Sequence, residues 1–190
     1  MLMLSIPAAF GLSILAEPLL IIFTTTEYVS EGIYIIPIVV FGLVVYSMSA
    51  VFGFIVRFSK RTGIIAITLG IAAAVNLGLN ILLVPRWGII AAAITTLCAY
   101  AISAVFMYYK SRKYLKFEMQ FGFILRSIVS SLFMAAVIWV IHPMDILMVL
   151  LSVLSGAIIY FVILLVIRGI SQDEIKVFLG FIRDTIRLNR

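Results

Sequence analysis

Few residues in this chain could do chemistry, and most of them stand alone. Glu17 is the one acid clearly inside a long apolar run. An acid in such a place could bind a proton or a coupling ion, line a cargo path, or reach headgroups and water from near an interface. Its position, six residues before the run ends at Phe23, sets it about 9 Å from that boundary. Asn76 and Asn80 stand four apart and share one helix face. Two amides in hydrocarbon need partners, which an interhelical clamp or a water-filled cavity would supply. Arg126 lies five residues into another run, from where its long side chain can snorkel back to the surface. Glu17, Asn76, Asn80 and Arg126 are therefore the candidate cavity or gate residues. His142 is the only histidine and Cys98 the only cysteine. Scattered acids with one of each give no metal-ligand cluster. No GxSxG, HExxH, P-loop or GxGxxG pattern occurs. The sequence thus points away from an enzyme, with no metal and no cofactor, and a single cysteine allows no intramolecular disulfide.

The elements that must position these residues follow from composition. Hydrophobic types make up 65% of the 190 residues and charged types 12%, where a soluble domain carries about 45–50% and about 25%. Mean hydropathy is +1.28. The spacing predicts an all-α integral membrane bundle of six transmembrane helices plus a C-terminal amphipathic helix. The six runs are A, about 1–23; B, 33–56; C, 63–84; D, 88–109; E, 121–141; and F, 146–167. Each can cross a bilayer once, since about 20 apolar residues span the hydrocarbon. Unbroken apolarity argues for helices, because barrel strands would be shorter and alternate. Two regions result, a six-span domain over 1–168 and a tail over 169–190. Thr24–Gly32, with Glu27, Tyr28 and Glu31, reads as an acidic solvated loop.

Charge orients the bundle. The net charge is +6. Arg57, Lys60 and Arg61 follow B; Lys110, Arg112, Lys113 and Lys116 follow D; Arg168, Lys176, Arg183, Arg187 and Arg190 lie in the tail. Strict alternation puts these 12 on one side and Arg86 alone on the other. The positive-inside rule makes both termini cytoplasmic, in a multi-pass protein of the cell membrane. The basic residues are thereby explained by the lipid bilayer, and no nucleic-acid partner is implied. Met1–Phe23 begins with no flanking charge and no cleavage site, and reads as an internal helix of a longer protein or as a truncated product.

Small residues suggest packing. Ala66, Gly70, Ala74 and Gly78 recur every four residues along C, Gly88, Ala92 and Thr96 along D, and Ser152 and Gly156 on F. Such spacing lets helix backbones approach closely, as static contacts or as a sliding interface. The asparagine face lies about 120° from the small-residue stripe of C. Pro7, Pro18 and Pro37 each remove a backbone donor and tend to kink a helix. In the tail, Ser171 and Glu174 have capping-box spacing. Ile175, Phe178, Leu179, Ile182 and Ile186 then follow at helical spacing, as in a helix lying on a membrane surface.

One stretch carries a family resemblance. From Asn76 the chain reads Asn-Leu-Gly-Leu-Asn-Ile-Leu-Leu-Val-Pro-Arg-Trp-Gly-Ile-Ile-Ala-Ala-Ala-Ile-Thr-Thr. It resembles the polysaccharide flippases of the multidrug/oligosaccharidyl-lipid/polysaccharide exporter superfamily. Those often show two asparagines four apart, a Leu-Ile-Pro end and then Gly-x-x-Gly-Ala-Ala-x-Ala-Thr. Here Ala91 replaces the second glycine and Thr95 the usual alanine. Leu15 to Phe23, Glu27-Tyr28 and the loop Ser59 to Thr62 are also similar to that family. The resemblance covers helices A to D, and the others fit by position. It implies the C-terminal portion of a transporter of 12 to 14 spans, moving a lipid-linked glycan between two lobes by alternating access, with an ion gradient or membrane potential as driving force. A separately encoded N-terminal half would complete it. A multidrug or cation exporter fragment and a non-transporting membrane scaffold are the alternatives.

Overall fold

The computed structural model describes residues 1–115 and 121–167, apart from the side chain of Thr26. Lys116 and the tail helix expected over 169–190 lie outside the described residues. Among those described, the chain is all α: α1 Leu2–Ile14, α2 Ala16–Phe23, α3 Thr26–Phe58, α4 Thr62–Arg112, α5 Phe121–Ile141 and α6 Ile146–Val166. Run E is α5 with the same bounds, and run F is α6 to within one residue.

The expected single helix A is two. α1 and α2 meet at Leu15 (φ −83°, ψ 3°) with a bend of 64°. Pro18 explains the break, because it has no N–H for the Ile14 carbonyl and its ring crowds that oxygen. Run B begins earlier than expected. Glu27 and Glu31 belong to the first turns of α3, and the expected loop 24–32 is mostly helix. An acidic first turn suits the positive end of the helix dipole. The 33 residues of α3 exceed what about 30 Å of hydrocarbon requires, so its polar start can project beyond the apolar layer.

Runs C and D together form α4, 51 residues long. Straight, it would measure about 76 Å. It is not straight. Gly88 has φ 64° and ψ −150°, a region open essentially to glycine alone. Thr95 and Asn80, fifteen residues apart, are 2.7 Å apart through their side chains. Only a hairpin brings them together, since the same separation along a helix is about 22 Å. Gly88 is therefore the turn between two antiparallel arms, one residue beyond the expected loop 85–87. A Cβ there would meet nothing within 4 Å, so its backbone angles, and not helix packing, require glycine.

The pairings give every element a direction. Gly42 lies against Leu97 and Tyr100, Ser49 bonds Ser103, and the Phe52 and Tyr108 rings are 5.5 Å apart. So α3 runs parallel to the second arm of α4. Phe10 meets Phe41 edge-on at 5.3 Å and Leu20 lies against Gly32, so the α1–α2 pair runs against α3. Gly11 faces Met134 while Ile14 and Glu17 share a cavity with Ile138 and His142, so α5 runs with α1; Gly156 faces Ile138 while Tyr160 bonds Ser127, so α5 runs against α6. Two apolar clusters result. Leu15, Met134, Ile138, Val149, Tyr160 and Leu164 join α1, α5 and α6; Phe52, Val56 and Met107 join α3 to both ends of α4, with Ile64 and Ile65 packed on them.

These directions also sort the charges. Arg57, Lys60, Arg61, Lys110, Arg112 and Lys113 fall at one end of the bundle, with Arg126 a short way in. Glu17, Glu27, Glu31, Arg86 and Asp145 fall toward the other. α3, α4, α5 and α6 are each long and apolar enough to cross a membrane, and the α1–α2 pair passes the same test only when its two bent pieces are taken together as one span.

The small-residue positions divide sharply. Gly156 is buried, and a Cβ on it would come 2.9 Å from Ile138 Cδ1 and 3.2 Å from Met134 Cγ. Ala66, Gly70, Ala74 and Gly78 are all exposed, and a Cβ on Gly70 or Gly78 would meet nothing. That stripe packs no helix among the described residues; the first arm of α4 turns its Thr68 and Ala72 face inward instead. Ala92 is half-buried and serves the hairpin through its carbonyl. Gly156→Leu is expected to lower stability in detergent by about 1–3 kcal/mol through overpacking, while Gly70→Leu leaves it unchanged. Thermal unfolding of the two variants side by side checks this.

Candidate functional site

The asparagines hold the α4 hairpin closed. Asn76 Nδ2 donates to Thr96 Oγ1 at 3.3 Å, and Thr96 Oγ1 donates to the Ala92 carbonyl at 2.8 Å. Asn80 Nδ2 donates to Asn76 Oδ1 at 3.0 Å, and Thr95 Oγ1 donates to Asn80 Oδ1 at 2.7 Å. A hydroxyl has one proton. Giving that of Thr95 to Asn80 leaves the Ala92 carbonyl to Thr96, so a single directed chain runs from Thr95 through both amides to the backbone. Thr95 is fully buried and both asparagines are half-buried. The sequence placed the amides on one face; the threonines that answer them were legible only as small residues of helix D.

A second polar seam joins α1, α5 and α6. Pro7 has no N–H, so the Met3 carbonyl four residues before it loses its helical partner. The Tyr160 hydroxyl donates to that carbonyl at 2.8 Å and lies 2.9 Å from Ser127 Oγ. Tyr160 and Ser127 are buried. Sequence reading singled out Pro7 as a kink and missed both partners. The available signal was the orphaned carbonyl itself, which in hydrocarbon must find a donor. Next to this seam, Leu4, Pro7, Gly11, Met134, Val153 and Phe161 help line a largely apolar groove of about 290 Å³ between the three helices.

Glu17 lies elsewhere. It is exposed at the start of α2 and lines a small cavity of about 100 Å³ with Pro18, Trp139 and His142. His142 has φ 45°, as the residue that ends a helix in the left-handed conformation, and its N–H bonds the Ile138 carbonyl at 3.2 Å. Arg126 is exposed near the opposite, basic end. So the structure joins Asn76 to Asn80 and leaves Glu17, Arg126 and the amide pair in three separate places. Among the described residues no group of three His, Cys, Asp or Glu could hold a metal.

A broken helix, a hairpin turned at glycine and an apolar groove between α1, α5 and α6 describe a multi-pass membrane bundle. No family profile matches the chain. It is 24% identical over 178 residues to the "Probable low-salt glycan biosynthesis flippase Agl15" of Haloferax volcanii, covering 92% of this chain and 38% of that protein. It superposes on the lipid II flippase MurJ, in an inward closed conformation, with a TM-score of 0.74 and 22% identity over 85% of this chain and 35% of that one. The chain thus spans well under half the length of the relatives it matches, and the resemblance read from Asn76 to Thr96 stands as a partial one to flippases of the exporter superfamily.

Two substitutions test the seams. A double-mutant cycle on Asn80→Ala and Thr95→Val should give a coupling of about 0.5–2 kcal/mol, the range of interhelical hydrogen bonds in membranes. Tyr160→Phe should cost about 1 kcal/mol, and Pro7→Ala should reduce that cost by returning the Met3 carbonyl to its own helix. Reversible unfolding in mixed micelles reads both.

Proposed function

We propose that this chain is the C-terminal portion of a flippase that moves polyprenyl-phosphate-linked oligosaccharides from the cytoplasmic to the outer leaflet by alternating access. The observation that carries the reading is the sequence relation to a glycan biosynthesis flippase along 92% of the chain. The fold match supports it. So does the groove beside Tyr160, whose apolar walls suit a flexible hydrocarbon tail. In this reading the chain makes six passes: the bent α1–α2 pair, α3, the two arms of α4, α5 and α6. Both termini are cytoplasmic, because the basic end holds seven of the eight lysines and arginines among the described residues, Arg126 included. A remaining portion, encoded with it or separately, supplies the other lobe and most of the cargo cavity. The work is conformational and not catalytic. Glu17 and the amide pair act as gate or cavity residues, with Glu17 the more available because no hydrogen bond or ion pair engages it among the described residues.

Reconstitution decides the matter. Together with the remaining portion, the chain is expected to carry a fluorescent lipid-linked oligosaccharide across proteoliposomes. Val153→Trp, which fills the groove, should slow transfer at least about tenfold, as lost burial of a few methylenes would. Absence of glycolipid movement in the reassembled transporter overturns the proposal.

A further inference from the structure

The basic end of the bundle carries more than a topology signal. α3 ends there and α4 both begins and ends there, so Arg57, Lys60, Arg61, Lys110, Arg112 and Lys113 surround one helix group. All six side chains are exposed. Every acid among the described residues lies toward the opposite end, so no described carboxylate neutralises them.

Three of the six are held by rings. The Arg57 guanidinium lies 5.4 Å from the Phe54 ring centre, Lys110 Nζ 5.1 Å from that of Phe106, and the Arg112 guanidinium 5.6 Å from that of Tyr108. A cation on a ring face keeps its N–H donors directed outward and loses less freedom when it binds. Arg112 also reaches the Tyr108 hydroxyl at 3.4 Å. Exposed apolar surface continues just inward and alongside, with Phe58 86% and Tyr109 69% accessible. Cations fixed at one level beside bare aromatic surface match a molecule with a negative head and an apolar tail. A free anion would use the charges and leave the rings uncovered.

We propose that this end is a binding surface for anionic phospholipid, with headgroup phosphates on Arg57, Lys110 and Arg112 and acyl chains against the exposed rings. The surface is independent of the flippase reading, since it needs neither the groove nor any cargo. Each contact adds to the electrostatic attraction of a basic segment near an anionic leaflet, and high salt weakens the attraction.

The purified full chain in neutral detergent is titrated with phosphatidylglycerol or phosphatidylcholine of matched chains, and bound lipid is counted by native mass spectrometry. Phosphatidylglycerol is expected to bind at least about tenfold more tightly. The triple variant Arg57→Gln, Lys110→Gln, Arg112→Gln should lose that preference, while Arg86→Gln at the opposite end keeps it. Should the triple variant misfold, Lys60→Gln with Arg61→Gln, which touches no ring, must reduce the preference in the same direction. Equal binding of the two lipids overturns the proposal. So does equal loss in the Arg86 variant, or displacement of phosphatidylglycerol by the same concentration of inorganic phosphate.

Discussion

In hydrocarbon a polar group has no water to fall back on, so each must be answered from within the protein. Much of this bundle can be read as a set of such answers. Serine and threonine hydroxyls in the spans fold back on carbonyls three or four residues earlier, as Ser13, Ser47, Thr68, Ser130 and Ser131 do. Ser49 and Ser127 instead reach across, to Ser103 between α3 and α4 and to Tyr160 between α5 and α6, whereas the buried Ser152 hydroxyl of α6 meets no partner among the described residues. The prolines raise the same demand from the backbone. Pro7 opens the Met3 carbonyl, and Tyr160 fills it from another helix. A defect in one helix thus becomes a specific bond between two.

The α4 hairpin shows how this constraint shapes topology. Its turn depends on one residue, Gly88, whose backbone angles suit glycine alone. Its closure depends on two amides that cannot remain bare in lipid. The Asn76–Asn80–Thr95–Thr96 chain therefore sets the register of the two arms, and that register places both ends of α4 beside the end of α3. The gathering of cations at one end follows from this geometry as well as from the sequence. α3 then acts as the bridge, touching α4 on one side and α1 and α2 on the other.

The positions expected to serve function or packing sort by the same logic. Asn76 and Asn80 were expected either to clamp helices or to line a cavity, and their amides are engaged with one another and with the second arm. Glu17, by contrast, stands at a break in a helix, beside a small cavity that also holds the chain's one imidazole. Among small residues, Gly156 is where two helices meet, whereas the regular stripe from Ala66 to Gly78 faces outward. Regular spacing marks a smooth helix face and does not say whether anything lies against it.

The sequence alone determined that the chain is helical and spans a membrane, where α5 and α6 begin and end, and how the basic residues divide. These are local properties: apolar length, helical period and the counting of charges between runs require no partner to be known. It also carried a resemblance to flippases, read from the asparagine pair, the proline and the glycine between Asn76 and Thr96. Only the tertiary structure decided that run A breaks at Leu15, that Gly88 turns a hairpin, that Tyr160 answers Met3, and which small-residue face is buried. Each of those depends on what stands opposite a residue in space. Apolar periodicity cannot supply this in a chain where the lipid-facing and protein-facing sides of a helix are equally hydrophobic.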